Sequence, residues 1–228
     1  MTRKVVVCRP MTVAVGVDPG SSQGAIAVVV TDEGGRPRVA MLEEWRKDKR
    51  KRPRGRFRLW QGGDLGEWSE REEPVAHPDR VVFRVAKRAK HLAMEEGLDL
   101  RAGVEDIQIY GPPRAGLMGL ASSAGGHEAL LRMVLECHVV RPRERQWVKQ
   151  TADVPGRARK AMTRKFLTSA YLGEACIGPT FVVDWRCRLE GATPTEHAVD
   201  AIGVALFAAG AQLVTPQERE NHDKTAED

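Results

Sequence analysis

The chain has 228 residues, of which 42% are hydrophobic and 29% charged, enough for one domain with a sizeable core. No apolar stretch approaches the roughly 20 residues that a membrane span needs, and the short run at residues 5–7 behind Arg3 and Lys4 cannot serve as a signal peptide. A cytoplasmic protein without a membrane partner is therefore expected, and its four cysteines, with no CxxC pair among them, read as reduced thiols.

Residues 12–17 (TVAVGV) are short, continuous and rich in valine, as in a strand buried on both faces. That strand ends at Asp18, and Pro19, Gly20, Ser21 and Ser22 make a turn into a second strand at 24–31 (GAIAVVVT), hairpin-paired with the first. A third strand is predicted at 39–45. Residues 46–78 show no usable periodicity and contain Pro53, Pro74, Pro78 and a Gly62-Gly63 pair, so they read as an inserted loop or flap. The insertion opens on RKDKRKRPRGRFR at 46–58, where nine basic residues face the single acid Asp48. This run carries +8; since the chain carries +5, everything else sums to −3. Such a concentrated patch suits a polyanion, most often nucleic acid.

Asp79 is predicted to cap a helix reaching about Glu96, with Val82, Val85, Ala86, Ala89 and Leu92 as its apolar stripe. A strand at 102–109 (AGVEDIQI) would carry Glu105. A glycine-rich stretch at 112–126 then leads to a helix at about 127–136, a short strand at Val139 and Val140, and a basic helix at 157–172. The last element runs from Pro194 to about Leu213, and 216–228 forms a polar tail expected to be disordered. This order predicts a mixed α/β sheet flanked by helices, within one domain over 1–215.

Three acids stand where water is scarce. Asp18 closes an apolar strand, Glu105 lies between Val104 and Ile107, and Asp200 lies in HAVDAIGVALFAA. A buried carboxylate costs several kcal/mol unless it is paired or binds a metal. Each acid alone has an ordinary structural explanation, but three together in a basic chain suggest a shared cation. Hard divalent ions prefer such oxygen ligands, and two of them can assist an in-line displacement at phosphorus. Glu196, two residues after Pro194 and three after Thr193, fits a capping box. His197 shares a helix face with Asp200 and is the candidate fourth ligand or proton donor.

These residues resemble the RuvC-type Holliday-junction resolvases. VGVDPGSSQGAIAVV at 15–29 looks like their first strand, catalytic aspartate and turn; Val104-Glu105 is similar to their glutamate-bearing strand; VVRPRERQWVK at 139–149 and HAVDA at 197–201 resemble their later motifs. The resemblance spans about 12–209 outside the insertion and suggests a divergent member of cellular or phage type, cytoplasmic in a bacterium or in a phage's host. It implies an RNase H-like five-stranded sheet and Mg²⁺ or Mn²⁺, with two ions held by Asp18, Glu105, Asp200 and His197. It also implies a homodimer that cuts branched DNA by phosphodiester hydrolysis, leaving 5′-phosphate and 3′-hydroxyl, in DNA recombination.

Candidate DNA-binding residues are Arg50, Lys51, Arg52 and Arg54 in the insertion, Tyr110 and Arg114 after the glutamate, and Lys149, Arg157 and Lys160 in the second basic stretch. Tyr110 has the aromatic ring to stack on an exposed base. Three other readings stay open: an actin/sugar-kinase-like protein using GVDPGSSQGAIAV for ATP phosphates, an inert nucleic-acid scaffold, and an RNase H-fold nuclease for flaps or RNA hybrids.

Overall fold

The computed structural model describes residues 4–20, 23–47, 53–61, 67–74, 78–107, 115–151, 196–215 and 218. Nine strands and four helices are described: β1 (Val5–Val7), β2 (Thr12–Asp18), β3 (Gln23–Thr31), β4 (Pro37–Lys47), β5 (Pro53–Gln61), β6 (Glu67–Pro74), α1 (Pro78–Glu96), β7 (Asp99–Val104), α2 (Ala115–Leu135), β8 (Val139–Val140), α3 (Glu144–Thr151), α4 (Glu196–Ala208) and β9 (Gln212–Val214). Seven strands form one sheet in the order β6-β5-β4-β3-β2-β7-β8, and β1 pairs with β9 in a separate ribbon. Its core is the expected mixed five-stranded, RNase H-like sheet, β4-β3-β2-β7-β8. Within it β3 runs antiparallel to β2 and β4, whereas β2, β7 and β8 are parallel.

Period-two alternation in the central strands decides which helix each face receives. Val13, Val15 and Val17 of β2 and Ile26, Val28 and Val30 of β3 pack with α1 and α2 residues such as Val82, Val85 and Leu131. The intervening positions are small: Ala14 in β2, and Ala25 and Ala27 in β3, join the opposite core with α4. Gly16 and Gly103 belong to this second face. A Cβ at Gly16 would overlap the backbone of Ala201 and Ala205, and one at Gly103 would crowd Val204 and Val140. The small residues therefore let α4 lie directly on β2 and β7.

Several expectations change. The insertion is not a loop: β5 and β6 extend the sheet beyond β4. Charge had hidden its alternation, since Arg54, Arg56 and Arg58 alternate with Gly55, Phe57 and Leu59. The glycine-rich stretch is helical from Ala115, so α2 begins well before His127, its buried Ala124 and Leu131 offsetting poor glycine propensity. The strand at 102–109 ends instead at Val104. Helix α1 starts at Pro78, a favourable first position, so Asp79 lies in its first turn and is not the cap. Helix α4 stops at Ala208, short of Leu213, because Gly210 takes a φ of 76°. The Gly210 amide donates to the Phe207 carbonyl and the Ala211 amide to that of Leu206, a Schellman stop, and β9 follows. The basic helix at 157–172 and the Thr193-Pro194 part of the capping box lie outside the described residues, as does the tail apart from Glu218.

Cys8 and Cys137 are free thiols, and burial pushes the Cys8 thiol far above its ordinary range. Among the described residues no helix is long and apolar enough to cross a membrane.

Candidate metal centre

The alternation that seats α4 also aims the acids. Asp18 lies two residues after Gly16, and Glu105 two residues after Gly103, so each sits on the face that carries α4. Asp18 closes β2 opposite Ala25. Glu105 lies just beyond β7, where its amide donates to the Val17 carbonyl at 2.9 Å and prolongs the parallel pairing by one step. Above them, residues four apart on α4 form two rows. His197, Ala201 and Ala205 run over Gly16 and towards Asp18, while Asp200, Val204 and Ala208 run over Gly103 and towards Glu105.

This arrangement brings Asp18, Glu105 and Asp200 together. A ligand oxygen from each lies within 4.8 Å of the others, and their exposures are 6%, 8% and 3%. Three acids at that separation repel one another strongly when ionised, the more so away from water. An all-oxygen donor set of this charge fits a hard divalent cation such as Mg²⁺ or Mn²⁺. Among the described residues no cysteine joins the cluster.

His197 is not part of that converging set. Its Nδ1 lies 2.6 Å from Asp18 Oδ2. The hydrogen bond to Asp18 raises its pKa; partial burial opposes this, and the charges of Asp18, Glu196 and Asp200 add to the rise. Glu196 itself is exposed at the start of α4.

Trp45, at the end of the predicted third strand, and Trp147, within the stretch at 139–149 that resembles a family motif, hold the frame. The Trp45 indole donates to the Gly20 carbonyl at 2.8 Å and so pins the chain two residues after Asp18. Its ring meets buried His127 edge-on, centroids 5.5 Å apart, and His127 Nε2 lies 3.3 Å from Asp79. The Trp147 indole donates to Glu105 Oε1 at 3.2 Å. The available signal for α3 was the spacing of Trp147, Val148 and Thr151, which form its buried side.

Of the candidate DNA-binding residues, Lys149 is exposed on α3 and Arg54 lies in β5 opposite Arg46. Arg50, Lys51, Arg52, Tyr110, Arg114, Arg157 and Lys160 lie outside the described residues.

No family model and no curated protein matches the sequence. Among solved structures, the chain is similar to Thermus thermophilus RuvC in complex with a Holliday junction substrate, at 15% identity and a TM-score of 0.44, over 89% of this chain and 99% of that one. It is also similar to a structure of Thermus thermophilus RuvC, at 18% identity and a TM-score of 0.38 with the same coverage of both chains.

Proposed function

We propose that the protein is a metal-dependent, structure-selective endonuclease that hydrolyses phosphodiesters in branched DNA, with the four-way junction as its substrate and a homodimer as its working form. The observation that carries this reading is the convergence of Asp18, Glu105 and Asp200, from three separate segments, into one buried oxygen cluster at the end of the sheet. These three residues would hold Mg²⁺ or Mn²⁺, two ions in the full site. The ions, when bound, supply charge neutralisation and an activated water for in-line displacement. Water adds to phosphorus as the bond to the 3′-oxygen breaks, leaving 5′-phosphate and 3′-hydroxyl.

His197 uses Nδ1 on Asp18, which leaves Nε2 to serve as the fourth ligand or to hand a proton to the departing oxygen. Lys149 and the basic residues at 46–54 would contact phosphates. Such contacts position DNA without reading sequence, so branch selectivity would rest on dimer shape and DNA deformability. A two-fold dimer would present two sites to symmetric strands of a junction.

The test is incubation with labelled four-way, flap, duplex and RNA–DNA hybrid substrates, with and without Mg²⁺. Symmetric cleavage of the four-way junction only with the ion is expected. Asp18→Asn should bind the junction and fail to cut it, with a rate loss of at least about a hundredfold, comparable to removing a principal electrostatic group from an active site. Undiminished cutting by that variant would falsify the assignment. ATP hydrolysis without DNA cleavage would favour the kinase-like alternative, and preferential cutting of flaps or hybrids would redirect the substrate.

A further inference from the structure

The segment from β8 into α3 grips the loop that carries Glu105. The Asp106 amide donates to the Pro142 carbonyl at 2.9 Å, Arg141 Nη2 lies 3.2 Å from Asp106 Oδ1, and Arg143 Nε lies 3.8 Å from Asp106 Oδ2. One helical turn further on, the fully buried Trp147 reaches Glu105 itself through its indole N–H. The far edge of the same ring lies against Gly203, where a Cβ would overlap the indole carbons. Gly203 stands one turn after Asp200 on α4. One rigid side chain thus touches Glu105 and the helix turn next to Asp200.

We propose that Trp147 is a positioning residue: its indole N–H fixes the orientation of the Glu105 carboxylate while its ring, seated on Gly203, sets the distance between Glu105 and the Asp200 helix. An indole suits this task chemically. It is a donor only, and it is neutral at every accessible pH. A lysine or arginine there would bring a positive charge that competes with a bound cation, whereas the indole orients the carboxylate and leaves its charge intact. Glu105 has further lone pairs for an ion after accepting this bond. Groups that orient ligands from outside the ligand set typically contribute ten- to a hundredfold to metal affinity or activity. The role in ion binding rests on the metal-site reading above; the hydrogen bond to Glu105 does not.

The test uses the full chain, Trp147→Phe, which keeps an aromatic ring on Gly203 and removes the donor, and Glu105→Gln. The first measurement is the indole N–H spectrum of ¹⁵N-labelled protein without added metal. The cross-peak missing from Trp147→Phe should shift in Glu105→Gln while the other indole signals stay in place. An unmoved peak would overturn the inference, whether or not the protein binds metal. The second measurement is Mn²⁺ affinity by calorimetry. Trp147→Phe should bind about ten- to a hundredfold more weakly than wild type while keeping its circular dichroism. Wild-type affinity in that variant would overturn the positioning role. If Trp147→Phe does not fold, the wild-type indole signal followed through a Mg²⁺ titration decides instead: it should move as the ion binds, and a static signal during saturable binding counts against the proposal. Failure of the wild type to bind either ion would sink the metal-site reading, while the indole response to Glu105→Gln would still decide the hydrogen bond.

Discussion

Glycine plays opposite parts in two places, and the same substitution should separate them. At Gly16 the chain has traded a side chain for close packing with α4, since a methyl there would meet the backbone of Ala201 and Ala205. Backbone cannot swing aside as a side-chain tip can, so Gly16→Ala must lift α4 from the sheet. Overpacking usually costs about 1–3 kcal/mol and occasionally more; here the upper end is expected, together with a displaced Asp200. Gly119 lies exposed within α2, and among the described residues no atom outside its own stretch of helix lies within 4 Å of the point where a methyl group would stand. Gly119→Ala should stabilise by about 0.5–1 kcal/mol through helix propensity and a less flexible unfolded chain. Urea unfolding of both variants reads the two signs directly. A neutral Gly16→Ala would mean that α4 does not rest on β2 as closely as described.

Elements differ in how visibly they were written in the sequence, and the reason is how much of their pattern is apolar. The strands β2 and β3 and the helix α1 were legible because valine and alanine recur with the right periods, and the three acids stood out against those runs. Glu105 lies just after its strand; what fixes its side is the two-residue step from Gly103, matching the step from Gly16 to Asp18, and that equivalence was readable but is only meaningful once both glycines are known to lie under one helix. The insertion failed for the opposite reason. Its alternation is one of charge, and the partner that gives the charge meaning is remote in sequence. Register places Arg56 between Glu44 and Glu72, and Arg58 opposite Glu70. Strand β5 carries +3 and β6 carries −3, so the paired strands cancel in formal charge. The unbalanced charge is left at 46–52, and 48–52 are bracketed by Lys47 and Pro53, which pair with each other. Since Arg46 pairs with Gln23, and Asp18 with Ala25 only two residues along β3, that bracket lies at the Asp18 end of the sheet. Exchanging Arg50, Lys51 and Arg52 for Gln should therefore weaken junction binding and flatten its salt dependence, by a slope of about 0.9 for each phosphate no longer neutralised. Exchanging Arg56 and Arg58 should change the slope less. Equal slopes for the triple and the double variant, measured by titration across a range of NaCl, would remove the distinction between residues 48–52 and the strands.

For the whole molecule, the consequence of gathering three buried acids is a stability that depends on what occupies them. Without a cation, ligand oxygens of Asp18, Glu105 and Asp200 lie within 4.8 Å of one another, and whichever of the three are ionised must be brought together against their mutual repulsion. A cation that binds only the folded arrangement adds RT ln(1 + [L]/Kd), about 2.7 kcal/mol at a hundredfold excess over Kd. For a chain of this length about 1 kcal/mol moves the unfolding midpoint by roughly 2–4 °C, so saturating Mg²⁺ should raise it by about 5–10 °C, and EDTA should reverse the rise. Asp200→Asn keeps the shape of the side chain and removes one of the repelling charges. In EDTA this variant should melt at or above the wild-type temperature, whereas in saturating Mg²⁺ it should melt below it, so that the two curves exchange order when the ion is added. Differential scanning calorimetry of both proteins in both buffers tests the exchange. A wild type whose midpoint ignores Mg²⁺, or a variant that stays below wild type by the same margin in either buffer, would mean that Asp200 acts through packing and not through a shared cation. The crossing of the curves separates a buried acid kept for binding from one kept for structure, because a structural acid loses its partners in both buffers alike.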